Sequence, residues 1–137
     1  LLNNIYSCPS TFVQAAAVKA LEAGLEWFEG LRREYAERAK LLTDLLNGID
    51  GVSVVRPRGA FYTFPNISGL LKRIGYDSAE RMVVDLLFDT GVLMLPGTAF
   101  PFKAGEGHLR VAFTIPSDLI REGMERFRGW VEEKAQG

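Results

Sequence analysis

The sequence predicts an α/β (α+β) sandwich: a short sheet of about four strands, covered by helices on one face. Three observations predict it. Apolar residues recur at helical spacing in several long stretches, and short β-branched, aromatic or alternating runs fall between them. The order along the chain is helical segments, two strands, a helix, two strands and a last helix. The length, 137 residues at 47% hydrophobic content, suffices for one domain with a real core, spanning 1–137.

Each element has its own signal. Residues 1–10 are polar and broken by Pro9, an irregular lead-in. Thr11 and Gln14 form a capping-box pair that opens a helix carrying Ala15, Ala16, Ala17, Leu21 and Leu25. Gly24 and Gly30 each weaken helical continuity by about 1 kcal/mol, so a break is expected near one of them. The longer segment beyond runs to Leu46 with Tyr35, Ala39, Leu42 and Leu46 on one stripe. Asn47-Gly48 ends it with residues that tolerate the left-handed conformation. Residues 52–55 are a β-branched strand closed by Pro57, and 59–64 an aromatic strand stopped by Pro65-Asn66. A short helix is expected over 68–74. Asp77 and Glu80 cap the next helix, whose buried stripe is Met82, Val83, Leu86 and Leu87 and whose end is Gly91. Residues 92–95 form a strand stopped by Pro96-Gly97. Residues 108–113 form another, and Pro116-Ser117-Asp118 opens a last helix with Ile120, Met124, Phe127 and Val131 inward.

Composition excludes several function classes. A net charge of −1 gives no electrostatic reason to expect nucleic acid or an anionic membrane as partner. No run reaches the length of a membrane span. Cys8 is the only cysteine, which rules out an internal disulfide and fits a reducing cytosol. The chain begins Leu-Leu-Asn-Asn, as a fragment or processed product would.

The alternation over 108–113 marks the candidate binding residue. Leu109, Val111 and Phe113 share one face, while His108, Arg110 and Ala112 share the other. With the first face on the core, Arg110 projects from the second on a rigid strand, its fork of donors shaped for a carboxylate or phosphate. A surface salt bridge is the plainer role for such an arginine. For Phe61 and Tyr62 the residues alone favour core packing on opposite faces. His108, the only histidine, is read as a strand residue at the edge of a site; no metal cluster accompanies it, and nothing places it near Cys8 as a base. The glycines of 97–107 lack phosphate-loop spacing.

Three ordered blocks resemble one family. Val92 to Phe113, with Gly91-Val92, Pro96-Gly97, Phe100 and His108-Leu-Arg-Val-Ala-Phe113, is similar to the C-terminal region of class I aminotransferases, fold-type-I pyridoxal-phosphate enzymes of the aspartate aminotransferase kind. Arg56-Pro-Arg-Gly-Ala-Phe-Tyr-Thr-Phe64 resembles a small-domain strand of that family near the active-site mouth. Tyr6-Ser7-Cys8-Pro9-Ser10, leading into Gln14 and an alanine run, resembles a turn at the subunit interface of the family dimer. The resemblance implies that Arg110 binds the substrate α-carboxylate, that Ser7 is a candidate interface or cofactor-side contact, and that the loop at 97–107 is a flap. Asn3 stands where the aspartate-specific branch often carries an arginine for the distal carboxylate.

The family's chemistry also needs parts that this chain lacks. Pyridoxal phosphate requires a lysine, an acid facing the pyridine nitrogen and a phosphate cup. None of Lys19, Lys40, Lys72, Lys103 or Lys134 sits in the family's Ser-x-x-Lys setting, so no catalytic residue is expected here. The implied identity is the C-terminal small domain, with its leading interdomain helices, of a homodimeric cytoplasmic aminotransferase acting on an amino acid and a 2-oxo acid. The catalytic large domain lies outside this chain. The alternatives are another fold-type-I enzyme, a lyase or decarboxylase, and a stand-alone interaction domain or degenerate relative.

Overall fold

The computed structural model describes residues 8–101 and 103–136. Among these residues, five helices and three short strands run in the order α1 (Thr11–Glu22), α2 (Glu26–Asn47), β1 (Tyr62–Thr63), α3 (Ser68–Arg73), α4 (Ala79–Thr90), β2 (Leu95–Pro96), β3 (Leu109–Ala112) and α5 (Ser117–Lys134). A 3-10 turn, Gly97–Ala99, follows β2. The chain divides into two compact units between Glu34 and Tyr35.

The first unit contains α1 and the opening turns of α2. Its helix starts one residue earlier than the capping-box reading requires: Ser10 is the N-cap, and Gln14 Nε2 donates to the Pro9 carbonyl at 2.7 Å. The break falls at Gly24, whose φ of 75° is open to glycine and strained for other residues. Gly30 lies inside α2 and does not interrupt it. No residue of α1 is buried, and Phe12, Leu21, Leu25 and Trp27 are exposed.

The second unit holds the core. β3 is the central strand, antiparallel to β1 through Thr63–Val111 and to β2 through Leu95–Arg110. Leu109, Val111 and Phe113 are buried, while Arg110 is half-buried and Ala112 exposed, so the strand has the two faces its alternation predicts. One apolar cluster joins Leu109, Val111 and Phe113 to Leu42 and Leu46 of α2, Met82 and Leu86 of α4, and Phe127 and Val131 of α5. Burying each such side chain contributes about 1.5–3 kcal/mol.

The strands are shorter than their residues predict. Residues 52–55 pair with the rest only at Ser53–Asn66, so among the described residues the sheet has three strands, with isolated bridges at Ser53–Asn66 and Asn66–His108. Prolines at 57, 65 and 96 remove ladder donors, and Ala60 takes a positive φ of 62°, which turns the chain before β1 can lengthen. α2 ends at Asn47, as predicted, but by another device, and the start of α4 moves by one residue. Gly48 does not adopt the left-handed conformation; the Asn47 side chain instead clamps Val54, donating to its carbonyl at 3.0 Å and accepting from its amide at 2.9 Å. At α4 the cap is Ser78, whose hydroxyl accepts from the Arg81 amide, and not Asp77. Gly91 closes α4 in the left-handed conformation as predicted. Among the described residues no helix is long and apolar enough to cross a membrane.

Candidate functional site

Arg110 stands on the face of β3 turned away from the core, and two aromatic rings receive its guanidinium. The Phe100 ring centroid lies 4.1 Å from Arg110 Cζ and the Tyr62 centroid 5.2 Å. At that range a guanidinium gains from the ring quadrupole while its N–H edges stay open. The Arg110 guanidinium makes no hydrogen bond and no ion pair among the described residues. A half-buried, stacked guanidinium with open N–H edges has the donors that suit a carboxylate or phosphate.

Each neighbour has a structural reason to be there. Tyr62 faces outward because Thr63, paired with Val111, takes the inward position of β1. This corrects the expectation that Phe61 and Tyr62 pack in the core. They are 49% and 39% exposed and rest edge-to-face on each other at 5.5 Å. Phe100 follows the 3-10 turn, its amide donating to the Gly97 carbonyl at 3.0 Å. That turn is tied to α4 by the Thr98 hydroxyl, which donates to the Glu80 carboxylate. The bond is the main cause holding the Glu80 carboxyl below its usual value. Gly97 and Gly105 meet backbone to backbone at the base of the loop, and a Cβ on either would overlap the other. The Gly97 amide also donates to the His108 carbonyl at 2.8 Å.

His108 belongs to a neighbouring network. Its ring stacks on Phe64 with centroids 5.2 Å apart. Nδ1 lies 2.8 Å from the Glu106 carbonyl, which only accepts, so Nδ1 carries the proton. Nε2, 3.3 Å from Asn66 Nδ2, is then the acceptor. The Asn66 amide orientation agrees, because its Oδ1 accepts from the Ser68 amide at 3.0 Å. His108, Asn66, Thr63 and Tyr62 line a cleft of about 580 Å³ together with Val54, Val55 and Pro57. Arg110 does not line it. Among the described residues no group of three His, Cys, Asp or Glu could hold a metal ion.

The other sites named from sequence fall elsewhere. Ser7 and Asn3 lie outside the described residues. Cys8 is exposed. Lys19 pairs with Glu22 at 2.6 Å, Lys40 with Asp44 at 2.6 Å, and Lys134 with Asp89 at 3.2 Å; Lys72 and Lys103 are exposed. Thr98 was not singled out from sequence; Glu80 was read only as a capping residue of α4, and Phe100 only as part of the family block. Their contacts join a helix start to a loop, and no local spacing encodes that.

Residues 1–127 match the family described as aminotransferase class I and II. An aspartate aminotransferase of Pyrococcus abyssi is 39% identical over 130 residues, covering 93% of this chain and 32% of the relative. An aromatic-amino-acid aminotransferase of Thermococcus litoralis is 38% identical, with the same coverage. Among solved structures, an alanine aminotransferase from Pyrococcus furiosus superposes with a TM-score of 0.85 at 32% identity, covering 96% of this chain and 32% of that one. An aromatic aminotransferase from Pyrococcus horikoshii gives 0.79 at 36% identity, covering 93% of this chain and 32% of that one. The chain thus spans about a third of the length of the curated relatives it matches. Sequence and fold together make it a member of the class I and II aminotransferase family.

Proposed function

We propose that the full-length protein is a pyridoxal-phosphate-dependent aminotransferase, that this chain is its small domain with leading helices, and that Arg110 anchors the substrate's α-carboxylate. The observation that carries the proposal is the guanidinium held by Phe100 and Tyr62 with no carboxylate partner among the described residues. The family's substrates, an amino acid and a 2-oxo acid, share that carboxylate. The relatives' names span aspartate, aromatic amino acids and alanine, which supports a common anchor and leaves the side-chain preference open.

The residues of this chain do not by themselves fit the cofactor. A Schiff-base lysine needs a desolvated amine of lowered pKa. Here Lys19, Lys40, Lys72 and Lys103 are exposed, and Lys134 lies over Trp130 in an ion pair with Asp89. We therefore assign the lysine and the phosphate site to the portion of the polypeptide outside this chain. The role of the small domain is to bind and orient. A bidentate carboxylate on Arg110 fixes one end of the substrate, so that its Cα is presented in one orientation to the other domain.

The leading helices fit the same reading. A twelve-residue helix without a buried side chain is marginal in water. The exposed Phe12, Leu21, Leu25 and Trp27 are then the surface on which the large domain and the second subunit of a homodimer pack. An exposed cysteine as the only one in the chain accords with a reducing cytosol, where we place the enzyme.

Arg110→Lys in the full-length protein tests the assignment. Lysine keeps the charge but loses the fork, so kcat/KM for α-amino acids should fall about ten- to a hundredfold, equivalent to about 1.5–3 kcal/mol. The cofactor absorbance should be unchanged, and amines without an α-carboxylate should be little affected. Equal kcat/KM for variant and wild type across amino acids of different size would make Arg110 a structural residue.

A further inference from the structure

We propose that Phe100 is a positioning residue for Arg110 and that the Thr98–Glu80 hydrogen bond is the latch that holds it in place. The inference rests on the reading of Arg110 as the carboxylate anchor, and goes beyond it by naming what makes that anchor rigid. An arginine on an open sheet face has many rotamers, and a ligand that captures it must freeze them. Ring contact at 4.1 Å from Phe100, with Tyr62 at 5.2 Å, reduces that freedom before a ligand arrives. The two rings differ in how they are held. Tyr62 sits on β1, fixed by the ladder to β3. Phe100 sits on an irregular loop, and its place depends on the turn before it.

That turn has two fasteners. At its base, Gly97 and Gly105 are in backbone contact, and the Gly97 amide bonds to His108 in the residue row that leads into β3. On its outer side, Thr98 donates to Glu80, in the first turn of α4, which itself packs into the core through Ala79, Met82 and Val83. The chain of contacts is therefore α4, Glu80, Thr98, Phe100, Arg110. Core packing does not explain Phe100, because its side chain remains 44% exposed. Covering the guanidinium does.

The test uses the full-length protein and the variants Phe100→Leu, Phe100→Tyr and Thr98→Val, with Arg110→Lys in parallel. The probes are L-aspartate, L-alanine and L-phenylalanine, each paired with the amine that lacks only its α-carboxylate: β-alanine, ethylamine and 2-phenylethylamine. Phe100→Leu should raise KM for the amino acids about three- to tenfold with kcat within about twofold, because leucine fills space without a ring face. Phe100→Tyr should restore KM, and Thr98→Val should give a smaller rise in the same direction. The cofactor spectrum and the reaction with the amines should not change. Wild-type KM for Phe100→Leu, with Arg110→Lys impaired, overturns the positioning role alone. Equal losses for an amino acid and its amine also overturn it, since Phe100 would then contact the substrate side chain. If Arg110→Lys is silent as well, the carboxylate anchor itself is wrong.

Discussion

Replacing Gly105 by alanine should disrupt the loop that carries Phe100, by an amount that follows from the contacts at its base. A Cβ at position 105 would overlap the Gly97 carbonyl and stand 2.5 Å from the Thr98 amide nitrogen. Ordinary contact needs about 3.5 Å, so the two backbones must part by roughly 1 Å. Backbone cannot rotate away as a side-chain tip can. Overpacking of this kind costs about 1–3 kcal/mol. The displaced segment includes the Gly97 amide, whose 2.8 Å bond to the His108 carbonyl contributes about 0.5–1.5 kcal/mol. Against these stands a gain of about 0.4–1 kcal/mol, because alanine has less freedom than glycine in the unfolded chain. The expected net is a destabilisation of about 0.5–4 kcal/mol, read as a lower transition midpoint in thermal or urea denaturation of the purified protein. Gly123→Ala is the matched control. It lies in α5, and a Cβ there meets nothing within 4 Å. The same substitution should therefore stabilise, by about 0.4–1 kcal/mol. A Gly105→Ala protein as stable as Gly123→Ala would refute the pinch and, with it, the fixed position of the loop.

Other expectations follow from single groups. Thr63 is 3% exposed and its hydroxyl has no partner among the described residues, so Thr63→Val should raise the urea midpoint, by about 1 kcal/mol or more in stability. The Tyr76 hydroxyl, pushed up to about 12 by burial and then by its 2.8 Å bond to Asp85, keeps its proton longer in the folded than in the unfolded state. Its stabilising contribution is therefore full below about pH 10, the unfolded value, and is lost as pH rises through about 12; Tyr76→Phe should remove that part of the alkaline decline in thermal midpoint. The 137-residue chain on its own should form no borohydride-reducible adduct with pyridoxal phosphate at a specific lysine, as peptide mapping after reduction would show.

The helices were legible in the sequence because their periodicity is long and redundant. In α5, Ile120, Met124, Phe127 and Val131 are all buried, as their spacing requires, and in α4 Met82, Val83 and Leu86 are buried while Leu87 is partly exposed. The strands were legible only as runs. Composition identifies Val52, Val54 and Val55 as strand-like, but whether a run becomes a strand depends on a partner within reach of its amides, and Asn66 offers one only to Ser53. Parity was equally hidden in β1. Hydrophobicity points Phe61 and Tyr62 inward, yet the pairing of Thr63 with Val111 turns Tyr62 outward and leaves a threonine in the core.

The proposed binding residue and its support differ in the same way. The face on which Arg110 lies was written in six consecutive residues, since a period of two suffices once one face is known to be buried. Phe100 reaches it from ten residues away, and Glu80 reaches Thr98 across eighteen, by a route through a helix, a strand and a turn. Nothing local marks that route. It exists because Gly97 and Gly105 close the loop upon itself, and because Ser78 starts α4 at a position that brings Glu80 to the turn. The face on which a strand arginine lies is specified by alternation alone, whereas its rigidity is a property of the assembled unit. That is why substitutions at Gly105 and at Phe100, neither of which offers a hydrogen-bond donor to the ligand, should weaken carboxylate capture in the same direction as Arg110→Lys.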